Sequence, residues 1–327
     1  MNILPVFKKP RAKWILAILL LALAIAAIPS GPAQAAAEFC PPAAAGAALP
    51  WWGWPILLFV FCALLGVIAV LAGVGGGVLF VPIVGSFFPF HMDFVRGAGL
   101  LVAMCSSLAA APHFLRKGMA NLHLALPAAL IASTASIAGA WIGLALPQAM
   151  IQITLGIAIL GVVALLSRNR QSAYPVVGAP GRIAAFLQLQ GSYWEPAEQR
   201  QVEWHAHHAG RGLLWFILIG FLAGMFGLGA GWANVPVLNL VMGAPLKTAV
   251  ATSHFLLSIT DASAAWVYIN KGAIMPIIVV PSVLGIMLGS FLGAKLFTRV
   301  HPKSTRIIVL IMLTLAGLRS ILKGCGI

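Results

Sequence analysis

The chain has 327 residues, of which 61% are hydrophobic and only 8% are charged, whereas a soluble domain carries about 25% charged residues. This composition excludes an ordinary soluble protein and places most of the chain in lipid. The formal net charge of +14 does not indicate nucleic-acid binding, because the basic residues lie between apolar segments, as positive-inside signals do in membrane proteins.

The first 36 residues carry a targeting or membrane signal. Four basic residues precede an apolar run over 14–28, and Ala33-Gln34-Ala35 follows it. A basic start, a short apolar run and an Ala-x-Ala end are typical of a secretory signal peptide. An uncleaved first transmembrane segment fits equally well, and in both cases residues 38–50 lie outside.

Two glycine-broken apolar segments lie 154 residues apart. The first reads Gly73-Val74-Gly75-Gly76-Gly77 and leads to Val81-Pro82, and the second reads Gly227-Leu228-Gly229-Ala230-Gly231 and leads to Val235-Pro236. The same offset places Lys117-Gly118 on Lys271-Gly272 and Pro127 on Pro281. Glycine- and proline-interrupted segments at matching places in two repeats point to the binding site of a transporter.

The repeat predicts an all-α, polytopic membrane protein with 8–10 membrane segments. Repeat one covers 54–166 and repeat two covers 213–322. The predicted helices are 54–72, 75–88, 97–115, 122–146 and 149–166, then 213–226, 229–242, 248–269, 273–297 and 307–322. Each glycine segment has about 14 residues, too few for a helix across ~30 Å of hydrocarbon, so we expect a partial helix there.

A polar insert over 167–212 separates the repeats. Tyr193-Trp194 and Val202-Glu203-Trp204 predict two short strands. If all five segments of each repeat cross the membrane, the insert lies inside together with 16 of the 20 basic residues. If the glycine segments are re-entrant, 10 basic residues lie inside and 10 lie outside. The positive-inside rule favours five crossings per repeat and therefore inverted repeats.

The sequence gives little support for a metal site, a disulfide or enzymatic activity. The insert carries His205, His207 and His208, for which we favour a solvated loop over a metal site. No catalytic order of residues stands out, and we expect neither enzymatic activity nor a cofactor. Metal-ligand or disulfide spacing is also missing among the four cysteines, which are Cys40, Cys62, Cys105 and Cys325.

The glycine breaks themselves are the first candidate for a substrate site. Exposed N–H groups at a helix N-terminus attract anions. Two breaks that face each other would form a central anion site from Gly75, Gly76, Gly77, Gly229 and Gly231. The alternative is close helix packing through small residues.

Polar side chains near the breaks extend this candidate site. Thr252, Ser253 and Ser106 supply hydroxyl donors, and Asn234 supplies an amide. The alternative for each of them is a hydrogen bond between helices. Arg96 and Lys247 begin the third helix of each repeat. One hypothesis is that they concentrate anions at the two mouths of the transporter, and the one we favour is that both reach the membrane interface.

Two ionisable residues lie seven positions apart on one predicted helix. His254 and Asp261 share a helical face, and ionisable groups inside a membrane are costly to bury. One hypothesis is a proton relay. The other is a neutral, hydrogen-bonded histidine with the aspartate beside a polar cavity.

At these residues the chain resembles the TauE/SafE sulfite exporter family, also called the toluene sulfonate uptake permease superfamily. The resemblance covers about 54–322 and rests on both glycine motifs, with support from Gly243-Ala244-Pro245, Ala251-Thr252-Ser253 and Gly293-Ala294. It implies an inner-membrane permease for sulfite, organosulfonates or related small anions, with proton coupling.

The sequence thus predicts a multi-pass transporter of a small sulfur-containing or organic anion in a bacterial inner membrane. Its expected partners are the lipid bilayer and the anion, without nucleic acid. Assembly as a homo-oligomer is left open. The alternatives are a transporter of a metal ion or a neutral metabolite, and a membrane assembly factor without transport. A cation carrier should place more acidic groups than Asp261 in its core.

Overall fold

A computed structural model describes residues 53–72, 75–88, 90–116, 118–168, 182–195, 199–296 and 302–325. The signal-like segment 1–36, Gly73 and Lys117 lie outside these residues. The described helices are α1 (Gly53–Ala72), α2 (Gly76–Phe87), α3 (Met92–Arg116), α4 (Leu122–Ala145), α5 (Gln148–Arg168), α6 (Arg182–Phe186), α7 (Ala209–Phe226), α8 (Gly231–Pro236), α9 (Leu246–Asn270), α10 (Pro276–Leu296) and α11 (Pro302–Gly324). A π-helical turn over Val237–Val241 continues α8, and β1 (Gln190–Glu195) pairs antiparallel with β2 (Arg200–His205).

The protein is an all-α, polytopic membrane protein. Five of the described helices, α1, α3, α4, α7 and α10, are long and apolar enough to cross a bilayer. The helices that follow the glycine breaks are short, as the sequence predicts, since α2 has 12 residues and α8 has 6. Helix α9 has 25 residues and buries Thr252, Ser253, His254, Thr260 and Asp261 in the protein interior.

The repeat offset of 154 residues holds for the helices themselves. Helix α3 runs over Met92–Arg116 and α9 over Leu246–Asn270, so both ends differ by 154. The starts of α4 and α10, at Leu122 and Pro276, differ by the same number. The internal repeat in the sequence therefore corresponds to a repeat in the structure.

The two repeats are interlocked through glycines. Helix α10 packs parallel to α1, where Cβ atoms at Gly285 and Gly289 would clash with the carbonyl oxygens of Phe59 and Ala63. Helix α7 packs parallel to α4 in the corresponding way, and a Cβ atom at Gly224 would clash with the Ser136 carbonyl oxygen. Small residues let these backbones approach closely, so each repeat completes the core of the other.

Corresponding helices of the two repeats run antiparallel where they meet. Along α3 and α9, the Arg96 guanidinium lies over the Tyr268 ring and the Phe114 ring stacks on His254. Early residues of α3 thus meet late residues of α9. A pseudo-two-fold axis across these helices relates the repeats, which is the arrangement of inverted repeats.

The helix directions also show how the glycine segments run. Helix α3 is parallel to α10, because Gly97 lies against Ala273 and Ser106 bonds Ser290. Since α1 is parallel to α10 as well, α1 and α3 point the same way. The chain must therefore return through the bundle between them, along the first break and α2. This geometry agrees with five passages per repeat rather than a re-entrant loop.

The β-hairpin covers one end of the bundle, here called the insert face. The Asn121 side chain at the α3–α4 loop donates to the Gln190 carbonyl, and the His207 backbone N–H donates to the Met242 carbonyl. Val202 and Trp204 are buried in the same apolar cluster as residues of α4 and α7. The predicted strands lie within β1 and β2, docked on the loops of both repeats.

Candidate functional site

The first glycine break meets the second at the contact between the repeats. Gly75 has φ +83°, and a Cβ atom there would lie 3.2 Å from Leu257 Cδ1 and 3.9 Å from Gly231 Cα. Only glycine adopts such a backbone at low cost. Gly77 lies beside the second break as well, because a Cβ atom there would be 2.6 Å from the Leu228 carbonyl oxygen. The two breaks thus form one structure, here called the glycine-break site.

The second break passes beside the carboxylate of Asp261. Gly229 has φ +72°, and a Cβ atom there would lie 2.9 Å from Asp261 Oδ2 and 2.9 Å from Ala103 Cβ. The Ala230 backbone amide interacts with this carboxylate. Neither carboxylate oxygen has a hydrogen bond of ordinary geometry to any described residue. An acidic side chain thus belongs to the glycine-break site.

Further buried polar groups lie within four positions along the chain of Ala103, Ala230 and Asp261. Ser107, Asn234 and Thr260 are fully buried. Their side-chain polar atoms have no hydrogen-bond partner in the described part of the chain. Since buried polar groups in proteins are normally hydrogen-bonded, these unpaired groups beside the two breaks in sequence are candidates to bind a polar ligand.

The hydroxyls of the two repeats are used differently. Ser106 Oγ lies 2.8 Å from Ser290 Oγ, so this predicted substrate contact already has a protein partner. At the corresponding place in repeat two, Ser136 Oγ donates to the Thr260 carbonyl oxygen at 3.2 Å. The Thr260 hydroxyl remains unpaired among the described residues. The site is therefore asymmetric, and two of its unpaired polar groups lie on α9.

The other residues predicted to contact substrate lie nearer the insert face. Thr252 Oγ1 accepts a hydrogen bond of 3.1 Å from the Asn121 backbone N–H. The Ser253 hydroxyl and both His254 nitrogens have no hydrogen-bond partner within the described ranges, although the His254 ring stacks on Phe114 at 5.4 Å. Seven residues of helix separate His254 from Asp261 by ~10 Å, so the two side chains do not meet directly.

The expectation that Arg96 reaches the membrane interface is wrong. Arg96 is 0% exposed, and its Nη1 donates to the carbonyl oxygens of Gly143 at 3.1 Å and Met225 at 3.3 Å. Its Nη2 pairs with Asp93. These carbonyls end α4 and α7, where a cation is electrostatically favourable. Arg96 thus joins three helices, and burial with these acceptors replaces contact with water.

Sequence reasoning missed two cations at the end of α2. Arg319 Nε donates to the Ser86 carbonyl oxygen at 3.1 Å, and Lys323 Nζ donates to the Gly85 carbonyl oxygen at 2.9 Å. Both carbonyls belong to the last turn of α2, which has negative partial charge. The one available signal was a pair of cations four residues apart at the end of a predicted helix.

The histidines of the insert lie at the insert face, away from the glycine-break site. His205 ends β2, and the rings of His207 and His208 are 4.3 Å apart. Burial lowers the pKa of His207, and the neighbouring His208 lowers it further. These histidines therefore do not contribute to the glycine-break site.

Comparisons with known proteins agree with the membrane fold. A family model described as "Sulfite exporter TauE/SafE" matches residues 57–320. "Probable membrane transporter protein YunE" of Bacillus subtilis (strain 168) is 24% identical over 277 residues, covering 82% of this chain and 98% of that protein. No solved structure matches.

Proposed function

The chain belongs to the TauE/SafE sulfite exporter family and is a membrane transporter, and we propose that its cargo is a small oxyanion bound at the glycine-break site. Sulfite or an organosulfonate is the favoured chemical class. The observation that carries the proposal is that Ser107, Asn234 and Thr260 are fully buried and have no hydrogen-bond partner among the described residues. Hydroxyl and amide groups of this kind donate hydrogen bonds to anionic oxygens.

The electrostatics of α2 support an anion. The helix has 12 residues, and its N-terminus begins at Gly76, directly after the break that contacts Gly231. Arg319 and Lys323 bind carbonyl oxygens of its last turn. These cations offset the negative partial charge at the C-terminal end of α2. The positive partial charge at its N-terminal end, beside the break, is then available to attract an anion.

A metal-ion cargo fits the site poorly. A hard cation needs several oxygen ligands, mostly from carboxylates and carbonyls. Among the described membrane helices, the acidic residues are Asp93, which pairs with Arg96, and Asp261. One carboxylate among neutral donors provides too few oxygen ligands for a cation, whereas the same donors suit an oxyanion.

The site is closed to both sides in this structure. Asn234, Thr260 and Asp261 are each 0% exposed. An anion reaches them only after the helices around the site move apart. Inverted repeats provide such a movement, because rocking one repeat against the other opens the shared site to either side in turn.

Transport by purified protein in liposomes tests this proposal. We expect uptake or efflux of at least one of sulfite, sulfate, methanesulfonate and sulfoacetate. Gly75→Ala should abolish it, because the new methyl group enters the space between the two breaks. Gly272→Ala is the matched control, since Gly272 also has positive φ but a Cβ atom there has no described atom within 4 Å.

Two results would contradict the proposal. If folded wild-type protein transports none of these anions, the cargo is not a small oxyanion of this class. If both glycine variants transport equally well, the glycine breaks do not bind the anion and serve only in helix packing.

A further inference from the structure

Asp261 lies at the second glycine break, where the proposed anion would bind. Its Oδ2 atom lies at contact distance from the second break, since a Cβ atom at Gly229 would be only 2.9 Å away. The side chain is fully buried, and neither oxygen has a hydrogen bond of ordinary geometry from the described residues. The carboxylate and a bound oxyanion would therefore share one small group of donors.

No cation lies beside this carboxylate in the described structure. The interacting group is the backbone amide of Ala230. Cys105 of α3 packs on the apolar cluster of α1 and α10. Helix α8 carries no ionisable residue, and the other ionisable groups on helices packed against Asp261 lie toward the helix ends. They are Asp93, Arg96, His113 and Arg116 on α3, His123 on α4, Arg211 on α7, and Lys247 and Tyr268 on α9 itself. His254 lies nearer, seven residues or ~10 Å from Asp261 along α9.

The repeat shows that the fold does not need an acid at this place. The residue of repeat one at the same offset is Ser107, which is also fully buried. Two corresponding helices thus pack in corresponding positions with a neutral hydroxyl in one and a carboxyl group in the other. Because burying an unpaired charge is costly, the acid at Asp261 calls for a functional explanation.

From this geometry we infer that proton binding by Asp261 is required for anion binding at the glycine-break site. This inference rests on the proposed function. The ionised carboxylate repels an oxyanion at contact distance, whereas the neutral carboxylic acid donates a hydrogen bond to it. A proton from water binds a carboxylate oxygen when the anion enters and returns to water when the anion leaves. One proton therefore moves with each anion.

Binding measurements across pH test this linkage directly. Sulfate and methanesulfonate serve as probes, because neither changes its charge over the pH range in which proteins remain folded. Wild-type affinity should fall about tenfold per pH unit above the titration of Asp261. Calorimetry in two buffers of different ionisation enthalpy should show one proton taken up per anion.

Asp261→Asn is the informative variant, because the amide keeps a donor and cannot ionise. We expect its affinity to be independent of pH and its proton uptake to be zero. In liposomes, a pH gradient should drive anion accumulation by the wild type, while the variant should only equilibrate the anion. Glu203→Gln is the control, since Glu203 is an exposed carboxylate on β2 at the insert face, and it should keep the wild-type pH slope.

Each remaining outcome decides the question. Equal pH slopes in the wild type and Asp261→Asn, or no proton uptake by the wild type, would overturn the linkage and leave the anion site standing. Binding of no panel anion at any pH would overturn the proposed function itself. If Asp261→Asn does not fold, Asp261→Ser copies the residue of repeat one, and the wild-type proton count decides independently.

Discussion

Lys323 Nζ donates a hydrogen bond of 2.9 Å to the Gly85 carbonyl oxygen. This bond joins the end of α11 to the last turn of α2, and Arg319 binds the neighbouring Ser86 carbonyl. The two cations stabilise the negative end of a helix whose other end lies at the glycine-break site. Residues far from the proposed cargo are thereby expected to act on its affinity through the helix dipole.

Removal of these two cations should weaken anion binding. A charge at a helix terminus is worth about 0.3–1 kcal/mol, and up to ~2 kcal/mol when partly buried. We therefore expect the double variant Arg319→Met, Lys323→Met to raise the apparent Km for the anion several-fold. Lys271→Met is the control, because Lys271 is exposed and lies over the Trp141 ring at 4.3 Å. An equal Km in both variants would confine the two cations to a packing role.

Arg96 should be essential for folding rather than for attracting anions. Its guanidinium is buried against the terminal carbonyls of α4 and α7 and pairs with the half-exposed Asp93. Because Asp93 is 38% exposed, the expected loss comes mainly from the two carbonyls, at about 1.5–3 kcal/mol for a hydrogen bond to a charged group. Arg96→Met should therefore lower the thermal midpoint and the yield of folded protein. Lys295→Met, at an exposed position, should change neither, and a normal midpoint for Arg96→Met would contradict this account.

Local sequence predicted the helices well where apolar runs end at glycine or proline. The predicted helix 122–146 is observed as Leu122–Ala145, and 54–72 as Gly53–Ala72. The prediction was late at α3, which begins at Met92 rather than at 97. Asp93 and Arg96 give the first turn of α3 a polar sequence, so the predicted helix began after them. Hydropathy alone does not show that an arginine can be buried against the ends of other helices.

The glycine breaks were predictable, but the use of each hydroxyl was not. Matching glycines at a constant offset identify positions where the backbone must bend or approach closely. By contrast, Ser106 finds its partner Ser290 across 184 positions, and Thr252 finds Asn121 across 131. No local pattern distinguishes a hydroxyl paired in this way from the unpaired hydroxyl of Thr260, since that depends on how the repeats interlock.

Topology can be tested with two single cysteines in a cysteine-free background. Lys271 and Gln201 are both exposed and lie at opposite ends of the helix bundle. The positive-inside rule places the insert inside. We therefore expect Lys271→Cys to react with an impermeant thiol reagent on intact cells, and Gln201→Cys to react only after permeabilisation. The opposite labelling pattern would reverse the orientation of the whole bundle.

Variants at Thr252 and Ser253 should distinguish a structural hydroxyl from one that binds the substrate. Thr252 Oγ1 accepts from the Asn121 backbone N–H at 3.1 Å, so Thr252→Val should cost about 1 kcal/mol of stability and leave the apparent Km unchanged. Thr252→Ser keeps the hydroxyl and should restore the thermal midpoint. Ser253 is fully buried, and its hydroxyl has no partner among the described residues. Ser253→Ala should therefore preserve stability but raise the apparent Km several-fold, because the anion loses a donor on its path from the insert face. A raised Km in Thr252→Val together with a normal Km in Ser253→Ala would exchange the two roles.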